Sequence, residues 1–387
     1  MVRLGSDLLL ASSRLKGARV GVVCNHASLD RGYLHIVDRL ATTPDVTLAA
    51  IFGPQHGFRS DVQDNMIETP HADDSTRRVP VYSLYSETRE PTAAMLASLD
   101  FLIIDLQDIG ARIYTYIYTM ANCLRACAKH RVPVIVCDRP NPIGGTDVEG
   151  ALLVAGFESF VGQFPIPMRH GMTIGELARL FNEHFGLGAT LEIVKMQGWT
   201  RDMYADTTDL PWVMPSPNMP TLDTAIVYPG TVLFEGILIS EGRGTTRPFE
   251  LIGAPWIDAE SFSRRMNGLG LPGVYFRPAV FEPTFQKHAK KTCGGCQIHV
   301  LDRTAFKPVL TGVALIDAIK AAGPKDFAWR KPPYEFEWRK LPIDLLGGGP
   351  SMRRAVERGA ARKALEASWR RDLARFARAR RPFLLYG

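Results

Sequence analysis

The sequence predicts an α/β protein built on a doubly wound, mostly parallel sheet, with a smaller α+β domain after it. Apolar strand-like segments alternate with helical segments through the first 140 residues, as in a parallel sheet with crossover helices. Four prolines within residues 211–220 form a connector, and the segments beyond residue 225 are shorter and mixed. We therefore predict a Rossmann-like domain over residues 1–225 and a smaller α+β domain over residues 226–387.

The individual elements are predicted from apolar runs that end in turn-forming residues. The predicted strands of the first domain are 19–25, 46–53, 79–85, 100–106 and 132–138. The helical segment 114–131 joins the last two of them as a crossover. Thr173 and Glu176 form a capping box, which predicts the start of another helix. In the second domain we predict strands at 274–277 and 297–301.

Composition and charge exclude several classes of protein. The chain is 46% hydrophobic, and no apolar run reaches the roughly 20 residues of a membrane span. The N-terminus becomes polar too early for a signal peptide. We therefore expect a cytoplasmic location and no membrane partner.

The net charge of +6 is concentrated near the C-terminus, where residues 352–381 carry eleven basic and three acidic side chains. Leu365, Trp369, Leu373 and Phe376 recur at helical spacing in this segment, which predicts a helix packed on a core with a solvated basic face. Binding to nucleic acid or to an anionic surface is the alternative. Because no nucleic-acid-binding motif accompanies the segment, we expect no nucleic-acid partner.

The cysteines and loops give no sign of a metal or cofactor. Cys293-Gly-Gly-Cys296 has the spacing of half a zinc site, but a second pair of ligands is missing, so we predict a tight turn with two thiols. The first predicted strand is followed by Cys24-Asn-His-Ala-Ser28 and not by a glycine-rich phosphate loop. Walker A and G-x-S-x-G motifs are also absent from the sequence.

Polar side chains follow the predicted strands where each one ends. The carboxyl ends of parallel strands share one edge of a sheet, so these side chains should converge on one cleft. Residues 52–66, after the second strand, are the richest in hydrogen-bonding groups. The candidates are Asn25, His26, Gln55, His56, Arg59, Asp64, Asp105, Asp108, Arg112, Arg139 and Asn141.

A second polar cluster lies in residues 235–250. Gly242 and Gly244 free the backbone around Arg243, and Thr245 and Arg247 add donors, as suits an anionic or polyhydroxylated ligand. The alternative is a solvated turn in which the arginines pair with nearby glutamates. Carboxylates and arginines across a cleft, without a cofactor loop, fit hydrolysis of a sugar bond.

Long blocks of the chain resemble the exo-β-N-acetylmuramidases of the NamZ type. The blocks are 53–57 (GPQHG), 105–112, 114–116, 138–142, 148–150, 215–218, 228–230, 242–245, 248–250, Trp369 and 383–386. The resemblance implies a Rossmann-like catalytic domain and a smaller domain that forms the other wall of the cleft. It also implies a glycosidase that releases N-acetylmuramic acid from the non-reducing ends of peptidoglycan fragments.

The chain departs from the family at residue 55, where the resemblance implies a catalytic glutamate and this chain has Gln55. A glutamine cannot act as a general acid or nucleophile. One interpretation is that another carboxylate has taken over, with Glu241 the first choice and Asp64, Asp105 and Asp108 as substitutes. A second is that Gln55 orients the acetamido group of the sugar, which itself acts as nucleophile. A third is that the protein binds muramyl sugars without cleaving them, or acts on a different saccharide.

A muramyl sugar carries a lactyl carboxylate, which a guanidinium would recognise. Arg243 and Arg247 are the first candidates for this contact, followed by Arg59, Arg112 and Arg139. We expect His56 to orient a carboxylate or to hydrogen-bond a hydroxyl group; the alternative is a turn histidine that hydrogen-bonds its own backbone. Asn25, His26, Asn141 and Thr245 complete the predicted substrate-binding residues.

Overall fold

The computed structural model describes residues 1–64, 66–359 and 362–387. Its largest sheet has seven strands in the order β3-β4-β2-β1-β5-β6-β9. All neighbouring strands in this sheet are parallel except the edge pair β3 and β4. The strands are β1 (Arg19–Val23), β2 (Thr47–Gly53), β3 (Ala72–Asp74), β4 (Val79–Ser83), β5 (Phe101–Ile104), β6 (Val134–Cys137), β7 (Glu149–Leu152), β8 (Pro167–Arg169), β9 (Leu191–Val194), β10 (Leu251–Ala254), β11 (Val274–Phe281) and β12 (Cys293–Val300).

Helices cover both faces of this sheet, as the predicted doubly wound class requires. Ile103 and Ile135 pack with the helices near the N-terminus, whereas Leu102, Ile104 and Val136 face the cluster that contains α4. This alternation places hydrophobic residues on both sides of each central strand. The helices are α1 (Gly5–Leu10), α2 (Ile36–Thr42), α3 (Ala93–Leu96), α4 (Tyr116–His130), α5 (Ile174–Arg179), α6 (Leu222–Thr231), α7 (Ala259–Asn267), α8 (Pro308–Ala322), α9 (Pro342–Leu346), α10 (Ser351–Glu357) and α11 (Arg362–Arg380).

The later part of the chain contains a three-stranded antiparallel sheet in the order β10-β12-β11. The predicted tight turn at Cys293–Cys296 is wrong, because both cysteines lie in β12. A Cβ at Gly295 would lie 1.9 Å from Ile252 O, and one at Gly294 would lie 2.0 Å from Ile257 O. The two glycines therefore permit close contact with neighbouring backbone.

The part of the basic segment 352–381 that carries the predicted apolar face forms α11, whereas residues 360 and 361 lie outside the described residues. Leu365, Trp369 and Phe376 are buried on one side of it, and the helix contacts β7 and α8. The described residues contain no helix that is long and apolar enough to cross a membrane. The division of the chain at residue 225 stays a prediction.

Candidate active site

A cleft opens at the carboxyl edge of the large sheet, beside the start of α4. Gln55 and His56 enter it directly after β2, and the opposite wall comes from residues 228–335. Distant parts of the chain thus meet at the position that parallel-sheet geometry favours for ligands. The lining residues are Gln55, His56, Ile113, Tyr114, Thr115, Tyr116, Val161, Ser216, Asn218, Met219, Tyr228, Glu235, Arg243, Phe249, Tyr334 and Glu335.

Glu335 is a carboxyl group of this cleft that the sequence analysis missed. Tyr334 and Glu337 exchange two backbone hydrogen bonds of 3.0 and 2.9 Å, which leaves Glu335 and Phe336 at the tip of a two-residue turn. Both tip residues have positive φ, 44° and 65°, as in a type I′ turn, where Asn and Gly are the usual residues. A glutamate held in this costly conformation points to a functional role.

The surroundings of Glu335 favour its protonated form. Burial raises the pKa of Glu335 to about 7, and the Glu235 carboxylate acts in the same direction, whereas hydrogen bonds from Tyr85 and Gln55 oppose the rise. Tyr85 Oη donates to Oε2 at 2.8 Å, and Gln55 Nε2 donates to Oε1 at 3.3 Å. A carboxyl group with a pKa near neutrality is suited to general acid catalysis.

The amide of Gln55 is engaged at both ends. Thr115 Oγ1 donates to its Oε1 at 2.7 Å, which fixes the orientation of the amide and directs Nε2 at Glu335. Gln55 is 5% exposed. This residue is therefore placed to orient Glu335.

Glu235 is the second carboxylate that lines the cleft. Its Oε1 lies 2.7 Å from Arg243 Nη2, and its Oε2 accepts a hydrogen bond of 2.6 Å from Tyr334 Oη. Burial would lower the pKa of Arg243, but the Glu235 and Glu241 carboxylates raise it overall. Arg243 Nε is buried without a hydrogen-bond partner in the described part of the chain. This unused donor lies on the side of the guanidinium that faces Glu241.

Glu241, the first choice for a relocated acid, is buried beside the cleft but does not line it. Its Oε2 lies 2.5 Å from Lys287 Nζ, and its Oε1 lies 3.9 Å from Arg243 Nε. Burial would raise the pKa of Glu241, but these two cations hold it below its usual value. A proton donor near neutrality needs a raised pKa, and a lysine distant in sequence prevents that rise at Glu241.

His56 lines the cleft as a neutral imidazole. Its Nδ1 lies 2.7 Å from Val62 O, and since a carbonyl oxygen can only accept, Nδ1 carries the proton. Burial lowers the pKa of His56 to about 4. Near pH 7, Nε2 is therefore an acceptor, suited to a substrate hydroxyl group.

Two family models match nearly the whole chain. The N-terminal model of the exo-beta-N-acetylmuramidase NamZ matches residues 20–223, and the C-terminal model matches residues 226–386. The chain belongs to this family. It is 45% identical to the peptidoglycan beta-N-acetylmuramidase NamZ of Bacillus subtilis (strain 168), over 100% of this chain and 91% of that protein.

Two solved structures from Bacteroides fragilis NCTC 9343 share the architecture. Both are crystal structures of DUF1343 family proteins, and the matches cover 100% of this chain and 99% of each of those chains. One has a TM-score of 0.91 at 34% identity, and the other has a TM-score of 0.76 at 30% identity. These matches confirm the predicted fold class.

Several predicted residues of this NamZ-family chain form buried contacts outside the cleft lining. Asp105 accepts from Arg139 Nε at 2.6 Å and from Nη2 at 2.8 Å. Asp108 Oδ2 accepts from Gly110 N at 2.8 Å and lies 3.2 Å from His170 Nε2. Among residues 1–64, 66–359 and 362–387, no group of three or more His, Cys, Asp or Glu side chains is placed to hold a metal ion.

The predicted amides and the buried arginine support the loops around the cleft. Asn25 Nδ2 donates to Tyr116 Oη at 2.9 Å and to Pro215 O at 2.7 Å, so it holds a lining tyrosine from behind. Asn141 Nδ2 donates to Met172 O at 3.0 Å. Arg112 is fully buried and donates to Leu346 O at 2.9 Å.

The remaining candidates also lie outside the cleft lining. Arg59 is exposed and His26 is half-buried, while Asp64 accepts a hydrogen bond from Gln286. Thr245 Oγ1 donates to Gly242 O at 2.5 Å, within its own loop. Arg247 pairs with Glu250 at 3.3 Å, as the alternative of a solvated turn predicts.

Proposed function

We propose that this chain hydrolyses the β-glycosidic bond of a terminal N-acetylmuramic acid in peptidoglycan fragments, with Glu335 as the proton donor. Family membership and the B. subtilis relative support the glycosidase class and the saccharide substrate. The observation that carries the assignment to Glu335 is its burial in the cleft with a pKa raised to about 7. The Gln55 amide has no acidic proton to donate, and Glu335 supplies the carboxyl group that residue 55 lacks.

In the proposed reaction, Glu335 transfers its proton to the glycosidic oxygen as the bond from that oxygen to C1 of the muramyl sugar breaks. Positive charge then develops at C1 and the ring oxygen. Glu235 supplies a nearby negative charge, and Arg243 and Tyr334 hold its two oxygens in place. Water adds at C1 and loses one proton to the cleft carboxylates, which restores the protonated Glu335, so the products are N-acetylmuramic acid and the shortened fragment.

The other lining groups bind and orient the sugar in this proposal. His56 Nε2 accepts a hydrogen bond from a sugar hydroxyl, because Nδ1 already donates to Val62 O. Gln55 is a positioning residue for Glu335, since Thr115 and Glu335 occupy both ends of its amide. The interpretation in which Gln55 orients the acetamido group, which itself acts as nucleophile, predicts instead that substrates lacking the 2-acetamido group are not cleaved.

We retain Arg243 as the recognition residue for the lactyl carboxylate. Arg243 is the arginine that lines the cleft, and Lys287 already balances Glu241. An Arg243→Lys variant keeps the charge but loses the planar guanidinium. The ratio of kcat/KM for muramyl over glucosaminyl substrates should fall in this variant, and an unchanged ratio would exclude the role.

The proposed activity is tested with purified protein and a disaccharide of N-acetylmuramic acid β-linked to N-acetylglucosamine. Free N-acetylmuramic acid should appear, and longer chains should lose one terminal sugar at a time. Release of internal fragments would contradict the exo mode. Binding in calorimetry without any release would favour the interpretation of a silent binding protein.

We also retain the predicted cytoplasmic location, in which the substrates are imported muropeptide fragments. Cell fractionation with an antibody against the chain tests it. Recovery from the cell exterior would contradict that location.

A further inference from the structure

A second, more open cavity meets the catalytic cleft at Glu335. Glu335 lines both cavities, and Phe336, the next residue of the same turn, lines only the outer one. Arg89 and Phe160 form the other side of this outer cavity. A single turn therefore presents a carboxyl group to the inner cleft and an aromatic ring to the outer cavity.

The aromatic and cationic groups of the outer cavity form a fixed cluster. The Arg89 guanidinium lies 4.3 Å from the ring centroid of Tyr85 and 4.8 Å from that of Phe336. It also pairs with Glu68 at 2.8 Å. Phe336 is nevertheless 40% exposed, and its φ of 65° is unfavourable for a phenylalanine. The backbone conformation of Phe336 costs energy, and incomplete burial of the ring does not offset that cost. A role of the ring in binding a ligand would account for it.

From this arrangement we propose that the outer cavity binds the leaving sugar of the substrate, a neutral pyranose. The inference rests on the proposed function and extends it. A general acid contacts the oxygen that joins two sugars, so the two sugars must lie on opposite sides of Glu335. The inner cleft, with its buried donors and acceptors, holds the terminal muramyl sugar. The rest of the chain leaves through the open cavity.

The chemistry of the outer cavity fits a sugar ring without charge. Phe336 offers an apolar face to the C–H face of a pyranose, and Arg89 offers donors to its hydroxyl or acetamido oxygens. Glu68, Glu87 and Glu337 also line this cavity. These carboxylates outnumber the single guanidinium, so they disfavour a second muramyl carboxylate at this position.

The test compares two substrates that share the muramyl sugar and differ in the leaving group. One is the muramyl-glucosaminyl disaccharide, and the other is trifluoroethyl β-muramoside, whose leaving group has no ring. The variant is Phe336→Asn, because asparagine tolerates positive φ and so preserves the turn while removing the ring. Phe336→Tyr, which keeps the ring, is the matched control.

We expect the ratio of kcat/KM for the disaccharide over the trifluoroethyl glycoside to fall about tenfold in Phe336→Asn and to stay at the native value in Phe336→Tyr. An unchanged ratio in Phe336→Asn, whether or not both rates fall, would overturn the leaving-sugar site while the glycosidase stands. A native protein that cleaves neither substrate would overturn the proposed function and this inference together.

Discussion

Replacing Gln55 with glutamate puts a second carboxyl group beside Glu335, and the result depends on which residue is the acid. The Gln55 Nε2 atom lies 3.3 Å from Glu335 Oε1. Two ionised carboxylates at that separation repel each other by roughly 5 kcal/mol at an effective dielectric constant of about 20. The pair will therefore share one proton, as in other buried carboxyl dyads.

The expected consequence is a shift in the pH dependence of kcat/KM. Glu335 must carry its proton to act, so native activity should fall as the pH rises through about 7. In Gln55→Glu the last proton of the pair is held more tightly. The fall in activity at high pH is the alkaline limb of the profile. Even if structural relaxation reduces the repulsion between the carboxylates to a third, this limb should move up by about one pH unit.

The assay is release of N-acetylmuramic acid from the disaccharide between pH 5 and pH 9. Asn218→Asp is the matched control, since it adds the same charge to the cleft lining at a side chain that contacts Gln63 and not Glu335. The control should move the limb less than Gln55→Glu does. An unshifted limb in Gln55→Glu would refute the reasoning. So would a gain in kcat of several orders of magnitude, because residue 55 would then be the natural position of the acid.

Two further perturbations probe the surroundings of Glu335. Tyr85→Phe removes a hydrogen bond to Glu335 Oε2 that stabilises the ionised carboxylate. Its loss should raise the pKa of Glu335, so the alkaline limb should move up by about one pH unit. Tyr82→Phe is the control, and equal shifts in both variants would contradict this cause. Glu241→Gln leaves the buried Lys287 ammonium without its carboxylate partner and should lower the free energy of unfolding in urea by about 3 kcal/mol. A stable Glu241→Gln variant without turnover would restore Glu241 as the acid.

The central strands β1, β2, β5 and β6 are predictable from the sequence because they are largely buried on both faces. All five predicted strands are present, with ends that differ by at most two residues. The sequence does not reveal β3 and β9 at the edges of the sheet, where the residues are only half-buried or exposed. Their side chains carry too weak a hydrophobic pattern to distinguish a short strand from a loop.

The site was only partly predictable for a related reason. Gln55 and His56 follow a strand end, so sheet geometry alone brings them to the cleft. Glu335 comes from a turn 280 residues away in sequence, and only tertiary packing reveals that it meets Gln55. The segment Lys331-Pro-Pro-Tyr-Glu-Phe-Glu337 carries a signal, because an acid between two aromatic residues after a proline pair suggests a rigid turn.

The central claim is that Glu335 donates the proton to the leaving oxygen, and leaving-group dependence tests it most directly. Glu335→Gln should reduce kcat/KM for the muramyl-glucosaminyl disaccharide by roughly 10²- to 10⁴-fold. The same variant should cleave 2,4-dinitrophenyl β-muramoside at nearly the native rate, because that leaving group departs without a proton. Equal losses on both substrates, or undiminished cleavage of the disaccharide, would contradict the role of Glu335 as the acid.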